Sequence, residues 1–550
     1  MKIALAQLNY HIGNFEFNTS KIVQAIRRAK LASADMIVFA ELSVCGYPPL
    51  DFLTYHSFVE KCQRAIQIIE KECVDIAAIV GMPAVNDGVG KSLFNSAYFI
   101  ADGKVQQICH KALLPNYDVF DEYRYFESGK TFEILTYQGK KIAITICEDI
   151  WTMDENILYT VCPMDEMAKG NPDLMINIAA SPFSFTHADT RKKTLSENAL
   201  KYGIPLVYVN QCGGQTELIF DGGSMVMNKE GKILEELSYF EEDFKIWDFS
   251  DKVSNVHTSS DANQNISNLD KNKYSLIQEA LTIGIRDYFI KSGFKKAIIG
   301  LSGGIDSAIV CVLAVRALGK ENVRVVLMPS AFSSEHSIAD AIKLADTLEI
   351  QRDIIGIESI YQSFVNSLSP VFENLPFDIT EENLQARSRG ILLMAMSNKF
   401  SCMLLNTSNK SELAVGYGTL YGDMCGGLSV IGDVYKTEVY ELANYINQQE
   451  EIIPFHTITK PPSAELRPGQ KDSDSLPDYA ILDQILFQYI EMKNGADEII
   501  QGGFDPNLVQ RILKMVDRNE YKRFQAPPVL RVSDKAFGMG RRMQLSGKYQ

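Results

Sequence analysis

The chain has 550 residues, of which 46% are hydrophobic and 22% charged, a balance typical of soluble globular proteins with two or more domains. Its formal net charge of −15 disfavours non-specific binding to nucleic acid or to an anionic membrane. No apolar stretch is long enough to span a bilayer, and the first residues resemble a core strand more than a signal peptide. Ten cysteines without C-x-x-C spacing, and seven histidines without H-x-x-x-H spacing, argue against a disulfide framework or a zinc site and favour a cytoplasmic location.

In the first half, short apolar runs alternate with helical patterns, which predicts a layered α/β fold. The predicted strands are 2–8, 36–40, 76–80, 96–100, 141–146, 174–178 and 205–209, and the predicted helices include 18–32 and 189–202. Two hairpins are expected, near residues 95–111 and 223–233.

Residues 250–272 are rich in Ser, Asn and Asp, and they predict a linker between a domain of residues 1–249 and a domain of residues 273–550. The alternative is a long surface loop within one domain. Helices at 275–291, 307–318 and 334–348 then alternate with strands at 296–300, 323–328 and 351–355. This order predicts a doubly wound parallel sheet that binds its ligand at the carboxyl ends of the strands. Residues 472–478 predict a mobile loop.

Polar side chains follow several predicted strands of the first half. Glu41 and Cys147 each come directly after such a strand, and Cys147 is followed by Glu148 and Asp149. Lys111 follows the run 105–110, which belongs to the first expected hairpin. Two acidic neighbours raise the pKa of a thiol, so a nucleophilic Cys147 needs a nearby cation and a base. Lys111 would be the cation, which also stabilises an oxyanion, and Glu41 would be the base. This predicts a Glu–Lys–Cys triad that hydrolyses an amide through a thioester.

The segments 41–47, 111–117 and 147–151 resemble the three signatures of the nitrilase, or carbon–nitrogen hydrolase, superfamily, and the resemblance covers residues 1–245. It implies an αββα sandwich. Segment 120–126 resembles the part of that family with a second glutamate, which makes Glu122 a helper of the triad. By similarity with the glutamine-using members, Glu148 would receive the α-amino group of glutamine. The implied pocket residues are Tyr47, Phe120, Glu148 and Ser181.

The second half contains a glycine-rich turn, Ser302-Gly303-Gly304-Ile305-Asp306-Ser307, between a predicted strand and a predicted helix. Glycines let backbone N–H groups approach a phosphate, the helix N-terminus adds positive charge, and Asp306 can hold Mg²⁺. The turn lacks the Lys of G-x-x-x-x-G-K-[ST], which disfavours an ordinary P-loop ATPase. It resembles the S-G-G-x-D-S loop of the N-type ATP pyrophosphatases, which split ATP into AMP and pyrophosphate while activating an oxygen for attack by nitrogen.

Downstream segments at 382–389, 405–412, 416–423, 432–436 and 523–542 are similar to the NAD synthetase family, over residues 273–550. The resemblance implies a fold of the adenine-nucleotide α-hydrolase type. It also implies that the carboxylate of deamido-NAD attacks the α-phosphate of ATP, and that ammonia then displaces AMP. The implied ligands are Asp306 and Glu412 for Mg²⁺; Ser302, Gly303, Gly304 and Ser307 for pyrophosphate; Arg387 and Thr407 for ATP; and Asn383, Asp423, Lys436 and Ser463 for deamido-NAD. Residues 406–408 read Asn-Thr-Ser where ammonia-using relatives often have Gly-Thr-Asp, so Ser408 receives no role.

The two halves together predict a glutamine-hydrolysing member of the NAD synthetase family. Free ammonia is protonated in neutral water, so an internal path for it is expected. The expected partners are glutamine, deamido-NAD and ATP with Mg²⁺, with no nucleic acid or membrane, in a homodimer or larger assembly. One alternative is another amidotransferase, such as GMP synthetase or asparagine synthetase, whose glutaminase halves lack a Glu–Lys–Cys set. The other is an inactive nitrilase-like scaffold, which the presence of Glu41, Lys111 and Cys147 disfavours.

Overall fold

A computed structural model describes residues 1–151, 159–249, 272–373 and 375–547. The chain divides into two compact units, Met1–Asp270 and Lys271–Gln550. Apart from Asn272, the predicted linker at 250–272 lies outside the described residues, so the domain boundaries stay a prediction. No helix of the described ranges has the length and apolar character needed to cross a membrane.

The first unit contains two six-stranded sheets and a hairpin. Its strands are β1 Lys2–Gln7, β2 Met36–Val38, β3 Ala77–Val85, β4 Leu93–Ala101, β5 Lys104–His110, β6 Leu135–Tyr137, β7 Lys140–Ile146, β8 Leu174–Ala179, β9 Leu206–Asn210, β10 Cys212–Gln215, β11 Leu218–Asp221, β12 Met225–Met227, β13 Ile233–Glu236 and β14 Asp243–Asp248. Its helices are α1 Phe15–Leu31, α2 His56–Glu72, α3 Glu122–Tyr125, α4 Pro163–Ala168 and α5 His187–Tyr202, with 3-10 helices at Leu50–Thr54 and Cys147–Ile150.

The two sheets pack face to face between helices. One sheet has the order β14-β1-β2-β3-β4-β5 and the other β13-β12-β9-β8-β7-β6. Alternate residues of β1 face opposite sides: Ile3 and Leu5 join a core shared with β7, whereas Ala4 and Ala6 pack with Ile22 of α1. Helices α1 and α2 cover the first sheet, and α4 and α5 cover the second. This arrangement confirms the predicted αββα sandwich.

The second unit is built on a five-stranded parallel sheet of order β17-β16-β15-β18-β19. Its strands are β15 Ala297–Gly300, β16 Val323–Leu327, β17 Gln351–Ile354, β18 Met403–Asn406 and β19 Leu428–Ser429. Its helices are α6 Lys273–Ser292, α7 Ile305–Leu318, α8 Glu335–Thr347, α9 Glu358–Phe372, α10 Ile379–Phe400, α11 Lys410–Val415, α12 Lys436–Ile446, α13 Phe455–Thr459, α14 Tyr479–Ile490, α15 Ala496–Gln501, α16 Pro506–Arg518 and α17 Glu520–Arg523, with 3-10 helices at Lys320–Asn322 and Asp472–Asp474.

The strand order reverses at β15, which lies between β16 and β18, and this confirms the predicted doubly wound sheet. Helix α7 starts just after β15 and is apolar over most of its surface, so it packs into the interior of the unit. The prediction of a mobile loop at residues 472–478 was wrong for its first three residues. Asp472 is buried, begins a 3-10 helix, and accepts hydrogen bonds from Tyr417 at 3.2 Å and Tyr479 at 2.9 Å.

Candidate active sites

The first unit brings Glu41, Lys111 and Glu122 into direct contact, and we call these residues with Cys147 the thiol site. Lys111 Nζ lies 2.7 Å from Glu41 Oε1 and 2.8 Å from Glu122 Oε1. All three side chains are buried, because the ends of β2 and β5 meet the first turn of α3 beneath the surface. Two carboxylates buried around one ammonium leave an excess negative charge, which favours a site that accepts a proton.

Further donors surround the two carboxylates of the thiol site. Asn95 Nδ2 donates to Glu41 Oε1 at 2.6 Å and to Glu122 Oε2 at 3.2 Å. The Tyr47 hydroxyl donates to Glu122 Oε1 at 2.9 Å, and the backbone N–H of Ala180 donates to Glu41 Oε2 at 3.0 Å. Each donor stabilises the ionised carboxylate and limits its rotation.

Cys147 begins a 3-10 helix directly after β7 with φ at +45°, a left-handed conformation that costs energy in a residue with a side chain. Burial raises the pKa of the thiol well above its usual range, and the negative charge of Glu41 raises it further, whereas Lys111 lowers it. The resting group is therefore a thiol that needs a base. This agrees with the roles that the sequence suggested for Glu41 and Lys111.

Asp149 holds the backbone around the thiol site. Its Oδ1 accepts from the N–H groups of Ala112 at 3.0 Å and Leu113 at 2.9 Å, and its Oδ2 accepts from Ile146 at 3.0 Å. Burial raises the pKa of Asp149 to about 7, although the three backbone donors lower it. Sequence reasoning treated this carboxylate only as a charge next to Cys147, whereas the structure gives it a structural part.

Polar and aromatic side chains also gather at Glu148. Its Oε1 accepts from the hydroxyls of Tyr117 at 2.7 Å and Tyr159 at 3.1 Å, and burial raises the pKa of the carboxyl. The ring of Phe120 packs edge-on against Tyr117, with centroids 5.6 Å apart. Ser181 Oγ lies 2.8 Å from His187 Nε2. The sequence pointed to Glu148, Phe120 and Ser181, and it missed Tyr159 and His187, which no quoted motif includes.

In the second unit the predicted turn joins β15 to α7, as expected. Gly303 has φ at +80°, and a Cβ atom there would lie 2.1 Å from the carbonyl oxygen of Ser337 in α8, so only glycine fits. Ser302 Oγ accepts from the N–H of Gly304 at 3.2 Å, and Ser307 Oγ donates to the carbonyl of Gly304 at 3.0 Å. The turn is thus a hydroxyl-lined cradle at a helix N-terminus, a geometry that suits phosphate.

Beside this turn, Lys436 lies between two carboxylates; we call the turn, Glu412 and Lys436 the phosphate site. Lys436 Nζ is 2.5 Å from Asp306 Oδ2 and 3.4 Å from Glu412 Oε1. Asn409 Nδ2 donates to Asp306 Oδ1 at 2.9 Å. Burial raises the pKa of Glu412 to about 8; Asp306 and Asp472 raise it as well, and Lys436 lowers it. Asp306, Glu412 and Asp472 outnumber the single Lys436, so the charge of the site favours binding of a further cation.

Asp306 and Glu412 fit Mg²⁺ by their chemistry. Mg²⁺ is usually held by one or two carboxylates together with substrate phosphates, and an all-protein cage is not needed. Within the described ranges no group of three or more His, Cys, Asp or Glu side chains could hold a metal ion by itself. The phosphate site has two carboxylates facing a phosphate cradle and an excess of negative charge. It therefore matches a site in which protein carboxylates and substrate phosphates hold Mg²⁺ together.

Three cavities meet around the carboxyl ends of the strands. An apolar slot of about 240 Å³ runs between the ends of β15, β16 and β18, with Arg389 in its wall. A polar cavity of about 210 Å³ covers the phosphate site and includes Thr407 and Ser463. A third of about 650 Å³ is lined by Asn383 and Arg387. Asp423, buried with its pKa raised by burial, lines all three.

The cavities separate some residues that the sequence grouped. Arg387, expected at ATP, lines the third cavity with Asn383 and not the slot or the polar cavity. Lys436, expected at deamido-NAD, lies in the phosphate site. Sequence reasoning missed Arg389, whose Nε donates to the carbonyl of Met328 at 3.1 Å, and Lys460, which donates to Ser337 Oγ at 2.9 Å. Arg389 could have been found from its spacing, because it lies two residues after Arg387 in the same helical segment.

Comparison with known proteins supports the same division. Residues 2–256 match the family model for carbon-nitrogen hydrolase, and residues 277–526 match that for NAD synthase. The chain is 46% identical over 554 residues to a glutamine-dependent NAD(+) synthetase of Synechocystis, covering 99% of this chain and 98% of that protein. Its identity with the Acinetobacter baylyi enzyme of that name is 43% over 545 residues, covering 98% of this chain and 97% of that protein.

Solved structures give the same result. The glutamine-dependent NAD+ synthetase of Acinetobacter baumannii in complex with ADP superimposes with a TM-score of 0.77 at 41% identity, covering 99% of this chain and 98% of that one. That of Cytophaga hutchinsonii superimposes with a TM-score of 0.83 at 20% identity, covering 99% and 97%, which supports the fold alone. An amidase-type thiol unit and an ATP-using synthase unit in one chain define a two-part ligase. The chain belongs to the family of glutamine-dependent NAD(+) synthetases.

Proposed function

We propose that this chain makes NAD+ from deamido-NAD and ATP, with glutamine as the nitrogen donor. The observation that carries the proposal is the presence in one chain of two different sites: the buried thiol site and the phosphate site at the N-terminus of α7. The first has the groups for amide hydrolysis and, within the part of it that the structure describes, no glycine-rich cradle that suits a triphosphate. The second has the groups for phosphate and lacks a thiol with a base among its described residues.

In the thiol site, Cys147 attacks the carboxamide carbon of glutamine while Glu41 takes the proton from Sγ. The C–N bond breaks as Glu41 returns this proton to the leaving nitrogen, which departs as ammonia. Water then attacks the thioester with the help of Glu41, which releases glutamate and restores the thiol. Lys111 stabilises the oxyanion of each tetrahedral intermediate. Tyr47, Phe120, Glu148 and Ser181 hold glutamine, with Glu148 at its α-amino group.

In the second unit, adenosine occupies the apolar slot and its phosphates lie on the Ser302–Ser307 turn. Thr407, which lines both cavities, suits the junction between adenosine and the phosphates. Asp306 and Glu412 would hold Mg²⁺, which would neutralise phosphate charge. The carboxylate of deamido-NAD attacks the α-phosphorus of ATP and pyrophosphate leaves; ammonia then attacks the acyl carbon of the adenylate and AMP leaves.

Deamido-NAD occupies the third and largest of these three cavities, along Asn383 and Arg387, and its reactive carboxyl reaches Asp423, where the three cavities meet. Arg387 is proposed to contact deamido-NAD because it lines this cavity, although the family resemblance implied a contact with ATP. Lys436 acts at the phosphates, near Ser463, because its ammonium lies against Asp306. An ammonium and a metal ion together suit the charge that develops as pyrophosphate leaves.

The test is product identification with purified protein, glutamine, deamido-NAD, ATP and Mg²⁺, in parallel with the Cys147→Ala variant. The wild type is expected to form NAD+, AMP, pyrophosphate and glutamate. The variant is expected to lose synthesis from glutamine and to keep synthesis from ammonium chloride. Conversion of xanthosine monophosphate or aspartate, with none of deamido-NAD, would establish a different amidotransferase instead.

Two further expectations concern the state of the protein. We propose that the chain forms a homodimer or larger assembly, which light scattering after size-exclusion chromatography measures. We also propose a cytoplasmic location, in keeping with ten free cysteines among the described residues. Cell fractionation followed by immunoblotting tests that location.

A further inference from the structure

Asn95 contacts both carboxylates of the thiol site although no motif of the sequence pointed to it. It lies on β4, and its Nδ2 donates to Glu41 Oε1 at 2.6 Å and to Glu122 Oε2 at 3.2 Å. Its backbone carbonyl also accepts from the N–H of Lys111 at 2.8 Å. One side-chain NH₂ group therefore joins the two glutamates from the side of the sheet.

The position is a poor one for an amide from the viewpoint of stability alone. Asn95 is fully buried, and its Oδ1 has no hydrogen-bond partner within the described part of the chain. A buried carbonyl without a donor is destabilising, and a leucine of similar size would avoid that cost. The benefit of asparagine here must come from its NH₂ group and thus from the two carboxylates.

The hydrogen bonds at Glu41 leave a specific acceptor position open. Lys111 and Asn95 both donate to Oε1, and the backbone N–H of Ala180 donates to Oε2. A carboxylate offers about two acceptor positions on each oxygen. Among the described contacts, Oε1 is therefore filled, and the position left for a proton from Cys147 is on Oε2.

We propose that Asn95 is a positioning residue of the thiol site: it holds the carboxylate of Glu41 turned so that Oε2 receives the proton of Cys147. This inference rests on the proposed function of the thiol site. An amide NH₂ donates and does not accept, so the two bonds from Asn95 fix the orientation of both carboxylates. The titratable groups that act on Glu41 are Lys111, Glu122, Cys147 and Tyr47.

The experiment compares the full-length protein with its Asn95→Leu variant by measuring glutamate release from glutamine between pH 5 and pH 9. Loss of a hydrogen bond to a charged group should lower kcat about 10- to 100-fold, with little change in KM because Asn95 does not touch the substrate. The loss in kcat at constant KM should appear across this pH range, because the variant loses the orientation of Glu41 and keeps the glutamine pocket. Ammonia-dependent NAD+ formation, which bypasses the thiol site, should persist.

Asn18→Leu is the matched control, because Asn18 is a fully buried asparagine that donates to two carbonyls, those of His11 and Val44. It should leave kcat for glutamine hydrolysis unchanged. If Asn95→Leu does not fold, Asn95→Ser, which lacks the NH₂ group in a smaller side chain, replaces it. A wild-type kcat, a loss found mainly in KM, or an equal loss of ammonia-dependent synthesis would overturn the role of Asn95. Absence of glutamate release by the wild type would instead overturn the proposed function itself.

Discussion

Each unit contains a lysine between two carboxylates, but solvent reaches the two sites to different extents. In the thiol site, Lys111 contacts carboxylates whose side chains are 0% and 5% exposed. In the phosphate site, Lys436 contacts carboxylates that are each 18% exposed and border a cavity. The closed arrangement can exchange little more than a proton with its substrate. The open one can accept a metal ion and phosphates, so access decides what the same three charges do.

The largest effect is expected when the lysine of each site is replaced with methionine. Lys111→Met leaves two buried carboxylates facing each other, so we expect the free energy of unfolding of the first unit to fall by about 3–5 kcal/mol, with loss of glutamine hydrolysis. Lys436→Met should cost less stability, about 1–2 kcal/mol, because water and cations reach its partners. It should nevertheless abolish NAD+ synthesis from both nitrogen donors.

Denaturant titration separates the two units, because the only tryptophans, Trp151 and Trp247, belong to the first. Their fluorescence follows the first unit alone, and calorimetry follows both. Lys193→Met is the control, since that side chain is 71% exposed in its pair with Glu197. Equal losses of stability at Lys111 and Lys436 would show that access does not distinguish the sites.

The second prediction concerns the base in the closed site. Glu41→Gln should lower glutamine hydrolysis about 10²- to 10⁴-fold, because the variant loses the carboxylate that is proposed to take the thiol proton. Burial is the main reason that the pKa of Cys147 is high, and the charge of Glu41 raises that pKa further. Removing this charge should lower the pKa, which increases the thiolate fraction at a given pH.

Alkylation of Cys147 by iodoacetamide measures that change, with mass spectrometry to identify the modified residue. The midpoint of the rate against pH should move to lower pH in Glu41→Gln although hydrolysis is lost. Glu166→Gln, at an exposed position of α4, should change neither quantity. A midpoint that stays in place or rises would exclude electrostatic coupling between Glu41 and the thiol.

The third prediction concerns the open site. Asp306→Asn should reduce NAD+ synthesis from glutamine and from ammonia alike by about 10²- to 10³-fold, since one of two metal-binding carboxylates is lost. Removal of divalent cations with EDTA should stop synthesis in the wild type, and added Mg²⁺ should restore it. Glutamine hydrolysis should be affected far less, because the thiol site has no use for a metal.

Coupled assays of glutamate and NAD+ measure both activities in one sample. Asp497→Asn, in the exposed first turn of α15, is the control for removal of a carboxylate. Full ammonia-dependent synthesis by Asp306→Asn, or in the presence of EDTA, would show that synthesis does not need Mg²⁺ at this site.

Much of the site could be predicted because the reactive residues follow strands or glycine-rich turns in local sequence. Glu41, Lys111 and Cys147 come at strand ends, and the Ser302–Ser307 turn is contiguous, so pattern and resemblance were enough. Asn95 could not be found in this way. It lies 54 residues from Glu41 and 27 from Glu122, and only the pairing of β4 with β3 and β5 brings it to them.

Helix geometry explains why Arg387 and Arg389 line different cavities. Residues two positions apart on a helix are related by a rotation of about 200° around the helix axis, so they lie on nearly opposite faces. Arg387 therefore shares a face with Asn383, four residues earlier, and lines the third cavity, whereas Arg389 faces the slot. The sequence showed the shared face of 383 and 387, but which cavity that face meets depends on how α10 packs against the sheet.

The smallest expected effect concerns Asn409, the counterpart of Asn95 in the open site. Its Oδ1 caps α11 by accepting from the N–H of Glu412 at 2.9 Å, and its Nδ2 donates to Asp306 Oδ1 at 2.9 Å. Asn409→Ala loses both contacts and should cost about 1 kcal/mol of stability with a several-fold higher Mg²⁺ requirement. Asn409→Ser keeps a capping oxygen but cannot reach Asp306, so it should retain stability and still need more Mg²⁺. Mg²⁺ titration of ammonia-dependent synthesis, together with calorimetry, measures both quantities. If serine restored the Mg²⁺ requirement as well, orientation of Asp306 by the amide would be unimportant, and Asn409 would act only as a helix cap, unlike Asn95.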